Sequence, residues 1–373
     1  MRLISYLIIS LFSLALFNSL SAQTDSIFDQ GVYRTYIVHL PPSYTPSKSY
    51  PLVLNIHGLY SSAAGQESYS KFDDVADTLN FIVVYPNAQN NAWDFNGPDA
   101  IFLVNLIDSL KKDFSISCLF STGISMGGHM TYELVCALSN QLTAIAVIAA
   151  NMPDDMRNLC TIPGGVPLMH FHGTKDPIAK YTATPKIPSV DSLISWWVDK
   201  NKCNPVAVKT SIPDINPGDS CTVEKYFYGN GINGSQVIFY KIINGGHTWP
   251  GAAPVALLGK TNKDINASAL IGAFFRSFCP VSTAVTQTEN NYVVQIFPNP
   301  SPGKITISLP DNFVTTEASL RVYNNLGQIF YAETIKHVNG DYAIDISNLA
   351  PGIYFLQLKN TAASYFQKII ISR

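Results

Sequence analysis

Between Gln23 and about Pro280, short apolar runs alternate with segments of helical periodicity, and that alternation leaves few architectures open. Residues 51–56 (PLVLNI), 81–85 (FIVVY), 166–171 (VPLMHF) and 237–242 (VIFYKI) read as strands buried on both faces. Residues 100–111, 128–138 and 190–199 carry helical spacing between them. Continuous apolar strands separated by helices predict an α/β domain with a mostly parallel, doubly wound sheet. Residues 32–40 alternate apolar and polar instead, which predicts an antiparallel edge strand. After a polar stretch at 281–290 (VSTAVTQTEN) the helical pattern stops. Strand-like runs at 305–309, 320–323, 353–358 and 368–371, divided by Pro, Gly and Asn turns, predict a small all-β sandwich over 291–373. The expected organisation is an α/β domain over 23–280, a linker over 281–290 and the β-sandwich.

Charged residues make up only 13% of the 373, and 24 basic against 26 acidic groups leave a net charge of −2. No basic excess exists to neutralise phosphates, so no nucleic-acid partner is expected. The 47% of hydrophobic residues excludes wholesale disorder. At the start, Arg2 precedes an apolar run over 3–17, and Leu20-Ser21-Ala22 ends on a small residue. Residues 1–22 therefore read as a signal peptide cleaved after Ala22, because the run falls short of the ~20 residues a span requires. No later stretch is long enough to span, so a soluble, exported protein is expected. Six cysteines in an oxidising compartment predict disulfides, and the absence of CxxC spacing argues against zinc.

The sharpest chemical signal is Gly123-Ile124-Ser125-Met126-Gly127, which follows an apolar run and precedes an amphipathic helix. GxSxG between strand and helix is the nucleophile elbow of the α/β-hydrolase fold, where the serine occupies a strained turn. Partners of such a serine follow in the order Ser, acid, His. Of seven histidines only His247 and His337 follow every plausible acid, and His337 lies in the β tail. His247, in NGGHTWPG after a strand, is the expected base. Candidate acids are Asp154, Asp155, Asp176, Asp191, Asp199, Asp214 and Asp219. Asp176 stands just past the C-terminal end of a strong strand, where open α/β sheets build their sites, with Asp154 and Asp155 as second choice.

An oxyanion hole needs two backbone N–H groups. Met126, after the serine, and Leu59, after His57-Gly58 at the end of strand 52–56, are the expected donors, with His57 orienting that loop. His170 and His172 face one side of a strand near Asp176. They lack a second carboxylate or cysteine cluster, so packing beneath the acid loop is expected rather than metal binding. No cofactor is needed for this chemistry. Trp249 and Tyr181, close to the base and the acid, are candidates to line the substrate pocket, or to pack their loops.

GVYRTYIVHLPPSY, PLVLNIHG, GISMGGHMTYELVC, MHFHGTKDPIAKY and NGGHTWPG, in this order, resemble the polyhydroxybutyrate-depolymerase-like esterases. Those are related to feruloyl and acetylxylan esterases of carbohydrate esterase family 1. Over residues 30–280 the resemblance implies a serine esterase with Ser125, Asp176 and His247 as triad, acting on polyhydroxyalkanoate, feruloyl or acetyl esters. The family often has paired aspartates before the helix that begins near Gly97-Pro98-Asp99; one remains here, so that helix is given no binding role. Residues 291–373 (IFPNPSPG, VYNNLGQ, LAPGIYF and the terminal KIII) resemble the C-terminal sorting domain of type IX secretion in Bacteroidetes. That implies a partner in the secretion machinery and an extracellular or cell-surface destination through a Gram-negative periplasm. Two other functions stay open: a serine peptidase of the prolyl-oligopeptidase type, which usually carries a large N-terminal domain, and a non-catalytic surface-binding protein on a hydrolase scaffold. The expected disulfides are Cys203–Cys221 across a polar excursion, Cys136–Cys160 between the nucleophile helix and the next loop, and Cys118–Cys279 between that strand and the last helix.

Overall fold

A computed structural model describes residues 23–95, 97–279, 294–309, 315–324, 329–338, 340–359 and 364–372. The expected signal peptide and linker lie outside the described residues. The chain divides into two compact units, Met1–Pro280 and Val281–Arg373.

In the first unit the strands are β1 (Gln23–Asp29), β2 (Val32–His39), β3 (Tyr50–Ile56), β4 (Ile82–Pro86) and β5 (Ile116–Ile124). They continue with β6 (Ala144–Ile148), β7 (Leu168–Gly173), β8 (Val208–Ile212), β9 (Thr222–Tyr228) and β10 (Val237–Ile243). The helices are α1 (Ala63–Ser70), α2 (Phe72–Leu79), α3 (Pro98–Asp113), α4 (Met126–Leu138), α5 (Asp154–Leu159), α6 (Val190–Lys200) and α7 (Ala267–Phe278). One sheet orders the strands β1-β2-β4-β3-β5-β6-β7-β10-β9-β8. From β4 to β10 every neighbour is parallel, and the pairs at both ends are antiparallel. This is the strand order of the α/β-hydrolase fold.

The sheet is buried on both faces because its central strands are apolar at odd and even positions alike. In β3, Leu52, Leu54 and Ile56 enter one core with α3, α4 and α6, while Val53 enters the other with α2 and α7. The alternating strand over 32–39 is not an edge: β2 pairs with both β1 and β4. The edge is β1, whose polar QTDSIFD sequence hides its pairing. At the other edge β8 is exposed at nearly every position, so its sequence carries no apolar signal.

Disulfides join Cys118 to Cys279 and Cys136 to Cys160. The expected Cys203–Cys221 bridge is absent, and both cysteines are free and buried. The Asn204 amide donates to the Gly229 carbonyl, so Cys203 lies beside the end of β9, whereas Cys221 precedes its first residue. Seven strand residues separate them by about 20 Å, and a bridge requires Cα atoms within about 7 Å.

Among the described residues, the second unit holds two antiparallel sheets. One orders β11 (Gln295–Phe297), β12 (Lys304–Ser308) and β15 (Asp341–Asp345). The other orders β14 (Ile329–Val338), β13 (Thr315–Asn324), β16 (Gly352–Lys359) and β17 (Ser364–Ile371). Period-two alternation turns Ile305, Ile307, Leu320, Val322, Leu356 and Leu358 into a core of their own.

Candidate active site

Four loops leave the C-terminal ends of neighbouring parallel strands, and the candidate residues sit on them. Ser125 joins β5 to α4 with φ 58° and ψ −123°, a conformation costing a non-glycine residue about 1–3 kcal/mol. The turn fits only because its flanking residues lack side chains. A Cβ on Gly127 would stand 2.0 Å from the Ile56 carbonyl oxygen, and one on Gly123 2.5 Å from Gly127. The Ser125 amide is held by the Ile148 carbonyl at 3.0 Å, and the Ser125 carbonyl accepts from His129 at 3.0 Å. A half-buried serine is thus fixed at the start of a helix.

The acid and base loops are stitched together before they reach their side chains. Thr174 and Lys175 donate to the carbonyls of Ile242 and Gly245 at 2.9 and 3.0 Å. That contact needs Gly173, where a Cβ would lie 2.3 Å from the Gly245 oxygen. Asp176, 3% exposed, accepts the amides of Ile178 and Ala179 on Oδ1, both at 2.8 Å. Its Oδ2 meets His247 Nδ1 at 2.8 Å. Because the carboxylate only accepts, the imidazole carries its proton on Nδ1 and offers Nε2 as a base.

The second-choice acids are used elsewhere. Asp154 pairs with Arg157 within α5, and Asp155 accepts the Met156 amide in that helix's first turn.

At the end of β3, His57 is completely buried, and burial pushes its pKa below the ordinary value. The Ala88 amide donates to His57 Nε2 at 3.1 Å, so Nδ1–H donates to the Gly58 carbonyl at 2.7 Å. Ser61 N–H also donates to that carbonyl, at 3.2 Å. The Gly58 C=O and Leu59 N–H are opposite ends of one trans peptide plane, so anchoring the first aims the second the other way. A Cβ on Gly58 would lie 3.4 Å from Ser125 Cβ, which puts this loop against the serine. Met126, the first residue of α4, has no intrahelical acceptor for its N–H.

The Trp249 ring is buried and packs its loop against the core. It is 1% exposed, packs in the α7 core and donates from Nε1 to Ser268 Oγ at 3.0 Å. Tyr181 is half-buried, donates to Asp191 and lies under Lys241 Nζ at 4.9 Å from its ring centre. Asp99 is buried and pairs with Arg34 at 2.6 Å while accepting the Asp94 amide, so it braces the loop before α3.

Three groups escaped the sequence reading. Tyr132 reaches His170 from α4 at 3.0 Å, and His129 stacks on Phe95 with ring centres 4.0 Å apart. Burial lowers the His129 pKa to about 4, so its ring is neutral against Phe95. For Tyr132 the available signal was its spacing, seven residues after Ser125 on the inner face of the helix. Phe95 carried none, since it lies outside every periodic segment.

Residues 295–372 match the family described as "Secretion system C-terminal sorting domain". A bifunctional acetylxylan esterase/xylanase of Neocallimastix patriciarum is 27% identical over 234 residues, 61% of this chain and 32% of that protein. Feruloyl esterase C of Emericella nidulans is 25% identical over 225 residues, 57% of this chain and 76% of that one. This chain is thus similar to feruloyl and acetylxylan esterases. It spans about a third of the bifunctional relative's length. Among solved structures, an acetyl xylan esterase from Aspergillus awamori superposes at a TM-score of 0.46 with 15% identity, covering 63% of this chain and 96% of that one.

Proposed function

We propose that the protein is an exported serine esterase that removes feruloyl or acetyl groups from plant polysaccharide. The observation that carries this is the 2.8 Å pairing of Asp176 with His247, at the same C-terminal edge of the parallel strands that presents a serine on a strained elbow. His247 Nε2 takes the Ser125 hydroxyl proton as Oγ attacks the ester carbonyl. The oxygen that gains the charge is met by the N–H groups of Leu59 and Met126. Collapse of the tetrahedral adduct breaks the ester C–O bond, and His247 returns the proton to the leaving alcohol. Water then attacks the acyl-enzyme, giving its proton to His247, and Ser125 is released with the free acid. Asp176 orients the imidazole and stabilises its cationic form without taking the proton.

Relatives named for acetylxylan and ferulate support those esters over polyhydroxyalkanoate. The tail's match over 295–372 supports export through the type IX machinery of a Gram-negative host; in this reading 291–373 is the sorting domain, 281–290 a linker and 1–22 a signal peptide. A panel of feruloylated arabinoxylan, acetylated xylan, polyhydroxybutyrate and a peptide nitroanilide tests the reading. Release of ferulate or acetate is expected. Hydroxybutyrate alone would move the substrate class, nitroaniline would favour the peptidase, and no release from any would favour a binding scaffold.

A further inference from the structure

Beneath the acid loop lies a buried line of hydrogen bonds that the chemistry above does not use. His170 and His172, two apart on β7, turn to one face of the sheet and are 0% and 1% exposed. The Ala179 carbonyl can only accept, so its 2.7 Å contact with His172 Nε2 puts the proton there and leaves Nδ1 an acceptor. His170 Nε2, 3.2 Å from that Nδ1, must then donate. His170 Nδ1 in turn accepts the Tyr132 hydroxyl at 3.0 Å. Burial lowers the pKa of both histidines and raises that of Tyr132, which keeps all three neutral as this line requires. Every ring nitrogen of the pair is occupied, so none is left to bind a metal.

The line joins two parts of the site. Tyr132 belongs to α4, whose N-cap is Ser125. Ala179 belongs to the loop whose amides clamp Asp176 Oδ1. The next carbonyl of that loop, Lys180, is held by Asn151 Nδ2 at 3.0 Å. Phe239 and Trp197 shield the line, with ring centres 5.8 Å from His170 and Tyr132 respectively.

We propose that Tyr132, His170 and His172 are positioning residues that tie the nucleophile's helix to the acid's loop, so that Asp176 Oδ2 faces His247 Nδ1. This rests on the esterase reading above. Without the His172 donor the Ala179 carbonyl is released, the amide clamp on Asp176 loosens, and a displacement of about 1 Å costs roughly 10²-fold in rate. Substrate contacts need not change, so the loss falls on kcat.

The test compares full-length wild type, His172→Met, His172→Gln, Tyr132→Phe and Ser125→Ala for p-nitrophenyl acetate turnover, thermal midpoint and the pH profile of kcat/KM. Methionine fills the space without a donor, whereas the glutamine amide stands near the lost Nε2 and can donate to Ala179. In His172→Met, kcat should fall about 30–100-fold with KM within about twofold, because only transition-state geometry is lost. The acid limb of its profile should depart from that of wild type, because the Asp176 Oδ2–His247 Nδ1 contact is disturbed and His172 Nε2, 3.7 Å from that same Oδ2, is gone. His172→Gln should recover to within about fivefold, and Tyr132→Phe should lose about three- to tenfold. Equal losses in Met and Gln, or a folded His172→Met with wild-type kcat and acid limb, would overturn the proposal. If His172→Met does not fold, Tyr132→Phe decides, and wild-type kcat there overturns it. Full turnover by Ser125→Ala would instead sink the esterase reading and this proposal together, an outcome no His172 variant can imitate.

Discussion

Asp176 and His247 stand 71 positions apart in sequence and 2.8 Å apart in the fold, joined through Oδ2 and Nδ1. The pairing is set by backbone before side chains contribute, since the 174–175 amides fasten onto 242 and 245 carbonyls. Asp176 has its other oxygen saturated by two amides, so one orientation of the carboxylate is left.

Replacing Asp176 by Asn should therefore put a donor amide against His247 and favour the wrong imidazole tautomer. Ester turnover should fall at least ~10³-fold while the fold is kept. Asp155→Asn should turn over like wild type, its carboxylate being spent on the first turn of α5. Steady-state kinetics on both variants measure this, and the reverse pattern would reassign the acid.

The free thiols give a chemical count. Denatured but unreduced protein should titrate Cys203 and Cys221 with a thiol reagent, and mass mapping should recover 118–279 and 136–160 peptides. Opening Cys118–Cys279, across 161 residues, should cost about 5 kcal/mol on chain-entropy grounds. Opening Cys136–Cys160, across 24, should cost about 3 kcal/mol. Chemical denaturation of the paired Cys→Ser variants ranks them.

Why one disulfide was misjudged and two were not follows from what each depends on. Cys118 and Cys279 sit on a strand and helix whose apolar patterns are plain in the sequence. Cys203 and Cys221 lie at opposite ends of β9, whose partner β8 is exposed at nearly every position, so no apolar run marks the strand pair that holds them apart. The same blindness hid β1 and made β2 look like an edge. Ser125, Asp176 and His247 were legible because each follows a strongly apolar strand, but the Tyr132 contact depends on how α4 packs over β7, which no local pattern records.

A pH effect on stability should come from outside the site. Burial, followed by the neighbouring Asp73 charge, raises the Glu67 pKa from 4.5 to about 7. A raised folded-state pKa means the native state holds its proton longer, so this contribution is intact below about 4.5 and is lost as pH rises through about 7. Glu67→Gln should leave the thermal midpoint unchanged near pH 4.5 and raise it above pH 7. A midpoint gain confined to acid would contradict the sign.

The tail should be dispensable for chemistry. A chain ending near Pro280 should keep full ester turnover, yet stall in the periplasm of its host, because 294–372 carries its own core. Fractionation of host cells expressing both forms reads this out. Unchanged export of the shortened chain with weakened action on insoluble polysaccharide would make the tail a binding module instead.

Acyl-enzyme trapping tests the central claim most directly. Wild type quenched in acid during p-nitrophenyl acetate turnover should carry one acetyl group on the peptide containing Ser125. Ser125→Ala, with an unchanged thermal midpoint, should carry none and lose at least ~10³-fold in turnover. An acetyl group on any other residue, or wild-type turnover by Ser125→Ala, would contradict it.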